Sequence, residues 1–196
     1  MIKNKILIDN QSQLRDVFKD NSLNLKKNSK ILINGKLNLG SNISFEGNNI
    51  LGKDNFIESN CIFKGIKLGN HNIIRMSSYL INSRIDNNNL IGPFAFIRDK
   101  TYIKNFCTIG AYVEITRSII SDDIKASHRA FIGDAKIGRK TIIGAGSVFC
   151  NYSFKTMKKE KTEIGVNCKI GSNVTIIAPI KIKRNTLIPA FTKLKS

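Results

Sequence analysis

The fold is decided by a short-period repeat that is clearest in the middle of the chain, where residues 91–115 read IGPFAFIRDKTYIKNFCTIGAYVEI. An isoleucine stands at every sixth position of this stretch. A period of six fits neither an α-helix, with its 3.6 residues per turn, nor a continuous strand, in which side chains alternate between two faces. It fits a short strand followed by a tight turn, repeated many times.

The same period extends in both directions from this stretch. Nearly every step is six residues, with an occasional step of five, and the repeated apolar positions, here called the marker residues, are Ile33, Leu39, Phe45, Leu51, Ile57, Phe63, Leu68, Ile74, Leu80, Ile85, Ile91, Ile97, Ile103, Ile109, Ile115, Ile120, Ala126, Ile132, Ile137, Ile143, Phe149, Ile164, Ile170, Ile176, Ile182, Ile188 and Leu194. A second inward-facing candidate stands two residues before several markers, at Ala95, Thr101, Cys107, Val113, Cys168, Val174 and Thr186. Because one coil cannot bury its own apolar side chains, the coils must stack and pair their backbones with each other.

The turns between the short strands are rich in asparagine and glycine. Glycine follows a marker residue at Gly40, Gly52, Gly69, Gly92, Gly110, Gly133, Gly138, Gly144, Gly165 and Gly171. We expect glycine and asparagine to supply backbone freedom there, including positive φ. The repeat therefore predicts an all-β solenoid of about nine coils over residues 31–196.

Two segments fall outside the repeat. Residues 1–30 form an N-terminal extension that could hold a strand at residues 6–8 and a short helix capped by Ser12, covering the first coil. Residues 153–163 read SFKTMKKEKTE and are expected to form an exposed basic loop. This loop is either a solvated insertion or a segment that reaches a phosphate, for example on a neighbouring subunit.

The net charge of +18 has two interpretations. One is an anionic partner, such as nucleic acid, a membrane surface or a phosphorylated substrate. The other is compositional, because 24 Lys, 33 Ile and 23 Asn share AT-rich codons while only 8 Arg are present. Since arginine is the preferred residue for bidentate phosphate and base contacts, the composition argues against nucleic acid.

Other residue patterns narrow the class of protein. No apolar run approaches the roughly 18 residues of a membrane span, and the N-terminus lacks the pattern of a signal peptide. The four cysteines are far apart, which favours reduced thiols in the cytoplasm. The two histidines are too few for the three-histidine metal site of hexapeptide-repeat carbonic anhydrases, so no metal is expected.

Several motifs resemble one family. They are residues 91–98 (IGPFAFIR), 110–114 (GAYVE), 127–128 (SH), 132–138 (IGDAKIG), 143–146 (IGAG), 150–152 (CNY), 171–172 (GS), 178–179 (AP) and Ala190. Over roughly residues 35–192 the chain resembles the acetyltransferase domain of bifunctional glucosamine-1-phosphate acetyltransferase / N-acetylglucosamine-1-phosphate uridyltransferase, without the uridyltransferase domain. The resemblance implies a left-handed parallel β-helix, a homotrimer with active sites between subunits, and acetyl-CoA as co-substrate.

The chemistry of such an enzyme requires a base. An ammonium cannot attack the thioester, so a base must take a proton from the amino-sugar nitrogen as it attacks, and histidine suits this task at neutral pH. The resemblance implies that His128 is this base, while His71 is expected to be solvated surface. Backbone N–H groups beside Gly144 and Ala145 would stabilise the oxyanion. The acetyl-CoA contacts implied by the resemblance are Ala145, Asn151, Tyr152, Ser172 and Ala190.

The acceptor site departs from the family pattern. Its implied positions are Arg98, Thr116, Arg117, Phe131 and Lys159. Thr116 replaces a phosphate-binding lysine, Phe131 a tyrosine and Ile142 an asparagine, and losses of this kind change selectivity. The expected reaction is conversion of glucosamine-1-phosphate to N-acetylglucosamine-1-phosphate. The alternatives are a nucleotide-linked amino sugar of surface polysaccharide synthesis, a non-sugar or O-acetyl acceptor, and a non-catalytic β-helix for assembly or anion binding.

Overall fold

The computed structural model describes residues 5–195 and shows three β-sheets wrapped around one apolar core, all parallel apart from the first strand, Lys5–Ile8. Each turn of the chain adds one short strand to the first, then the second, then the third sheet, and the stack contains about ten turns. We call these sheets the first, second and third faces of a prism. The predicted all-β parallel β-helix is confirmed.

The strands of each face follow one another along the prism axis. The first face contains Lys5–Ile8, Lys30–Asn34, Asn48–Leu51, Lys67–Leu68, Arg84–Ile85, Tyr102–Ile103, Ile119–Ile120, Ala135–Ile137, Thr162–Ile164 and Ile180–Ile182. The second face contains Leu37–Leu39, Asn55–Ile57, Ile73–Ile74, Leu90–Ile91, Thr108–Ala111, Lys125–His128, Ile142–Ile143, Lys169–Ile170 and Leu187–Ile188. The third face contains Asn24–Leu25, Ser44–Glu46, Ile62–Lys64, Tyr79–Ile81, Phe96–Arg98, Glu114–Thr116, Phe131–Gly133, Val148–Cys150, Thr175–Ile177 and Lys193–Leu194.

The marker residues form the core, as the six-residue period predicts. All of them are buried except Leu39 and Leu194, which are half-buried and pack against the core. Like side chains stack directly, because Ile97 pairs with Ile115 and Ile115 with Ile132 in register. Each fully buried aliphatic side chain contributes roughly 1.5–3 kcal/mol relative to an exposed one, so the stack of coils supplies the cohesion that a single coil lacks.

The glycines that follow the markers have a different role from the expected one. Of those ten glycines, only Gly92 has a positive φ. Half of the non-glycine residues with a positive φ are asparagine or aspartate, which tolerate that conformation better than most residues. At Gly144, an added Cβ would lie 2.4 Å from the carbonyl carbon of Gly171 in the next coil. Such glycines are therefore required by the close approach of successive coils.

Part of the asparagine content forms a ladder inside the prism. The Asn72 amide donates to the Oδ1 of Asn55 at 3.1 Å, and the Asn89 amide donates to the Oδ1 of Asn72 at 3.0 Å. The backbone N–H of Asn72 also donates to the Oδ1 of Asn55, and that of Asn89 donates to the Oδ1 of Asn72. All three side chains are buried. The ladder ends where the N–H of Cys107 donates to Asn89 at 2.8 Å. These amides stabilise the stack, so codon bias is not the whole explanation of the asparagines.

The N-terminal extension closes one end of the first face. Lys5–Ile8 pairs antiparallel with Lys30–Asn34, and the helix Gln11–Phe18 packs against the core through Leu14. The helix begins after Asn10, whose side chain accepts from the Gln13 N–H at 3.0 Å, so the prediction that Ser12 is its cap is wrong. Within residues 5–195 no helix is long and apolar enough to cross a membrane.

The parallel stack begins earlier than predicted. The strand Asn24–Leu25 already pairs with Ser44–Glu46 in the third face, which is why about ten turns are present where nine were expected. Residues 1–4 of the predicted extension and residue 196 of the predicted β-helix lie outside the described residues.

The four cysteines are free thiols. Burial raises the pKa of Cys61 and of Cys107 to about 11, so these thiols are protonated at neutral pH. Both sit in the core at the second inward position of a coil, and we assign them a packing role.

The asparagine ladder generates a stability prediction. Asn72→Ala removes the partners of Asn89 and Asn55 in a buried site, and we expect it to lower the free energy of unfolding by roughly 2–4 kcal/mol. Asn38→Ala is the matched control, because Asn38 is exposed on a second-face strand; its effect should stay within about 0.5 kcal/mol. Urea unfolding at one fixed protein concentration measures both, and equal effects would contradict the role of the ladder.

Candidate functional site

The predicted site residues lie on two edges of the prism, on the third face between these edges (Phe131) and on a short hairpin (Tyr152 and Lys159). The His128 edge, between the second and third faces, contains residues 93–94, 111–112, 128–129, 145–146, 172–173 and 190–191. The Asp134 edge, between the third and first faces, contains residues 98–100, 116–117, 133–134 and 151. The structure therefore separates the predicted residues into two groups within one chain.

Backbone hydrogen bonds stack the turns of the His128 edge directly on one another. The N–H of Gly146 donates to the His128 carbonyl at 3.3 Å, and the N–H of Asn173 donates to the Ala145 carbonyl at 2.8 Å. The N–H of Phe191 donates to the Ser172 carbonyl at 2.9 Å. His128, Ala145, Ser172 and Ala190 consequently form one column along the prism axis.

His128 stands exposed at one end of this column of small residues. Its imidazole makes no hydrogen bond to any residue between 5 and 195. The side chains that follow it in the column are small, namely those of Ala145, Ser172 and Ala190, and Gly144 and Gly171 let the coils that carry them pack closely. A narrow chain-like ligand could lie along this edge within reach of the imidazole.

The two predicted oxyanion donors, the backbone N–H groups of Gly144 and Ala145, differ in whether they are already hydrogen-bonded. The N–H of Gly144 is already used, since it donates to the Ile170 carbonyl at 2.8 Å. The N–H of Ala145 has no acceptor in the described part of the chain. The Ala145 N–H is therefore a group beside His128 in the column that could stabilise a developing negative charge.

Arg98 lies on the Asp134 edge between two carboxylates. Its Nε and Nη2 donate to Oε1 of Glu114 at 2.9 and 2.7 Å, and its Nη1 contacts Asp99. The predicted phosphate-binding guanidinium is thus paired with acidic side chains of its own and the next coil.

Arg117 is held in the same way. Its Nε and Nη2 form a two-point ion pair with the carboxylate of Asp134, at 2.8 Å each. Its Nη1 donates to the Thr116 hydroxyl at 2.8 Å, and that hydroxyl donates to Asp99 at 3.2 Å. Thr116 is buried, so its hydroxyl serves this network and offers no surface to a ligand in a single chain.

Asp134 is the central residue of the edge. Its side chain is only 12% exposed, and it also accepts from the amide of Asn151. Burial raises the pKa of Asp134, but the hydrogen bonds from Arg117 and Asn151 outweigh it, and the net pKa is lowered. With Asp99 and Glu114, three carboxylates face two guanidinium groups, so this edge carries no surplus positive charge of its own.

Gly133 makes room for two of the predicted residues. A Cβ built on Gly133 would lie 2.5 Å from the Asn151 amide nitrogen and 2.9 Å from the Phe131 ring. The predicted acceptor residue Phe131 and the predicted acetyl-CoA residue Asn151 are therefore neighbours on the third face, beside Asp134.

The basic loop is a short β-hairpin at the Asp134 edge. Tyr152–Ser153 pairs antiparallel with Lys158–Lys159, and Thr162–Ile164 already belongs to the first face. Tyr152 and Lys159 are register partners, and the hairpin is exposed, with Phe154 85% and Met157 68% accessible. Lys159 also contributes to the lowered pKa of Asp134.

Sequence reasoning missed the acidic residues of the site. Asp99, Glu114 and Asp134 all lie in or beside the quoted motifs, yet none was assigned a role. A signal was present, because Arg98 and Glu114 are 16 residues apart and Arg117 and Asp134 are 17 apart, about one turn of the solenoid. Pairs of opposite charge at that spacing stack on adjacent coils.

An apolar surface surrounds the lower part of the His128 edge. The rings of Phe94 and Tyr112 stack with centroids 5.0 Å apart, and both are exposed. Phe56 and Ile73 are exposed on the adjoining second face.

Within residues 5–195 no group of three His, Cys, Asp or Glu side chains could hold a metal ion.

The Asp134 network generates a prediction for stability and its pH dependence. We expect Asp134→Asn to lower the free energy of unfolding by roughly 1–3 kcal/mol, because Arg117 loses its buried partner. Since the folded pKa of Asp134 is lowered, its contribution is present above the unfolded value near 4 and disappears as the pH falls below it. Glu163→Gln, in an exposed pair with Lys181, is the control and should change stability by less than about 0.5 kcal/mol.

Urea titrations from pH 2.5 to 7 distinguish these outcomes. The wild type should lose stability in acid more steeply than Asp134→Asn. Parallel pH profiles for the two chains would show that the Asp134 carboxylate does not stabilise this edge.

Comparison with known proteins adds information on sequence and fold. No protein-family model matches the chain. It is 37% identical over 179 residues to the bifunctional protein GlmU of Ruthia magnifica subsp. Calyptogena magnifica, a match that covers 88% of this chain and 39% of that protein. It is 33% identical over 185 residues to the bifunctional protein GlmU of Clostridium kluyveri (strain NBRC 12016), a match that covers 92% of this chain and 40% of that protein.

The fold is shared with a solved structure. LpxA from Acinetobacter baumannii superimposes with a TM-score of 0.56 at 15% identity, over 89% of this chain and 67% of that one. At that identity the match concerns the fold alone. The chain spans about two fifths of the length of the curated relatives it matches. The chain therefore resembles in sequence a segment of GlmU that is about as long as the chain itself. This match confirms the predicted resemblance to the acetyltransferase domain of a bifunctional sugar-phosphate enzyme.

Proposed function

We propose that the protein is an acetyl-CoA-dependent N-acetyltransferase that acts on an amino-sugar phosphate, with glucosamine-1-phosphate as the default acceptor. The observation that carries the proposal is the His128 edge, where an exposed imidazole ends a column formed by Ala145, Ser172 and Ala190. The GlmU resemblance supports the same reaction class.

The geometry suits acetyl transfer. The pantetheine arm of acetyl-CoA would lie along the small side chains of the column and place the thioester near His128. The amino-sugar nitrogen attacks the thioester carbon while His128 accepts its proton, and the Ala145 N–H donates to the oxyanion. Collapse of the tetrahedral intermediate breaks the carbon–sulfur bond, and the proton on His128 passes to the departing CoA thiolate. These steps use no metal.

We propose a homotrimer with each site formed between two copies. The third face separates the His128 edge from the Asp134 edge within one chain, so Asn151, Tyr152 and Lys159 of one copy would complete the His128 edge of another. The exposed stack of Phe94 and Tyr112 is a surface that such packing would bury. A second copy would also supply the polar partner that the His128 imidazole lacks in the described chain.

The charges around the Asp134 edge determine which acceptor can bind there. Arg98 and Arg117 are both neutralised by carboxylates, which leaves the hairpin lysines, including Lys159, to bind a phosphate. This favours a second candidate, an amino sugar linked to a nucleotide through a diphosphate, whose charges the hairpin could contact without the two arginines. Acetyl-CoA use and the free thiols favour the cytoplasm as the place of the reaction.

The assignment of His128 is tested by thiol release from acetyl-CoA with a panel of amino sugars, including glucosamine-1-phosphate and a nucleotide-linked amino sugar. We expect His128→Ala to lower kcat/KM by about 100- to 10,000-fold, because removal of a general base costs that much. His71→Ala is the control, since His71 is exposed on the edge opposite the third face, and it should retain wild-type activity.

Two results would contradict the proposal. Wild-type turnover by His128→Ala would exclude His128 as the base. Absence of thiol release from the wild type with every amino sugar of the panel would exclude the proposed reaction and favour a non-catalytic role.

A further inference from the structure

We propose a second ligand site, for a nucleoside diphosphate, in a basic groove on the edge between the first and second faces. The groove has a volume of about 750 Å³. We call this edge the Gly138 edge, and the basic groove consists of Lys104, Ser121, Asp122, Lys136, Gly138, Arg139, Glu163, Ile164, Gly165, Val166, Lys181, Ile182, Lys183 and Arg184.

Two successive glycines form the floor of the basic groove. Gly138 and Gly165 occupy the same turn position of adjacent coils, and a Cβ on Gly138 would lie 2.5 Å from the carbonyl carbon of Gly165. The coil before them has Ser121 at this position and the coil after them has Lys183. The backbones of both glycines line the groove, and the long side chains of neighbouring positions form its walls.

The walls are strongly cationic. Six lysine or arginine side chains line the groove against two carboxylates. Glu163 pairs with Lys181 at 3.2 Å, and Asp122 accepts two hydrogen bonds from Asn105, at 3.1 and 2.9 Å. No carboxylate between residues 5 and 195 lies within 4.0 Å of the charged nitrogens of the other cations, which are Lys104, Lys136, Arg139, Lys183 and Arg184.

This charge does not belong to the proposed acetyl-transfer site. In a three-sided prism the Gly138 edge lies opposite the third face, whereas the His128 and Asp134 edges border that face. Arg98 and Arg117 are paired with carboxylates, whereas Arg139 and Arg184 have no such partner among residues 5–195. A cluster of mutually repelling cations lowers stability unless an anion binds there.

The shape of the groove favours a diphosphate that carries a flat, partly apolar group. A single phosphate would contact only part of the ring of cations, which stands on both sides and at both ends of the glycine floor. Arginine forks match phosphate oxygens, and Arg139 and Arg184 lie on the same side of the floor two coils apart. Val166 stands between them and is 39% exposed, which offers an apolar surface to a nucleobase. The volume falls in the range typical of small-molecule sites.

Calorimetric titration of the full chain with UDP, ADP, inorganic diphosphate and inorganic phosphate tests this site. We expect the two nucleotides to bind more tightly than diphosphate, and phosphate to bind most weakly. The double variant Arg139→Ser/Arg184→Ser should bind UDP and ADP at least 10-fold more weakly. The matched control is Lys26→Ser/Lys27→Ser, which removes the same charge from exposed positions near the other end of the prism and should change affinity less than 2-fold.

Three results would overturn the proposal. Equal weakening in the two double variants would mean that only the net charge attracts the nucleotide. Diphosphate affinity equal to that of both nucleotides would exclude a base-binding surface. Tighter binding of a short single-stranded oligonucleotide than of UDP and ADP would assign the groove to nucleic acid instead. Thiol release from acetyl-CoA, measured in the same variants, should remain at the wild-type level, so failure of this site is distinguishable from failure of the proposed reaction.

Discussion

The close approach of successive coils is the constraint on which the rest of the molecule depends. Neighbouring backbones in a β-sheet lie about 4.8 Å apart, and here that spacing is imposed on all three faces and on the turns between them. Gly144 and Gly138 satisfy it by having no Cβ where the next coil passes within 2.4–2.5 Å of the position a Cβ would take. A side chain at either position would have to displace the backbone of the next coil.

Because the coils stack, the spacing of residues along the sequence determines which side chains meet on an edge of the prism. Residues one turn apart form columns, so His128 is aligned with Ala145, and Arg117 with Asp134 and Asn151. Three columns carry three different chemistries. The His128 edge has small residues and an exposed imidazole, and the Asp134 edge has a network of paired charges. The Gly138 edge has two glycines surrounded by cations, most of which have no carboxylate partner among residues 5–195. The solenoid allows each edge to be specialised without disturbing the common core.

Sequence reasoning identified what depends on the period and missed what depends on contacts between coils. The marker residues could be predicted because burial follows the six-residue spacing, and the position of His128 beside small residues followed from motifs. The pairing of Arg98 with Glu114 was not predicted, because the two residues meet only when the turn length is known. The role of the glycines was predicted wrongly, since a tight turn and a close approach of coils both select glycine. Asn10 was missed as the helix cap because Ser12, two residues later, satisfies the same rule.

We propose that an acetyl-transfer site combines the His128 edge of one copy with the Asp134 edge of another. Co-expression of a His128→Ala chain with an Asn151→Ala chain tests this most directly, after each variant alone has been shown to be nearly inactive. In randomly mixed trimers about a quarter of the sites would combine an intact His128 with an intact Asn151 from the neighbouring chain. The account predicts recovery of about a quarter of wild-type thiol release from acetyl-CoA with an amino-sugar acceptor. Mixed oligomers no more active than the separate variants would contradict it.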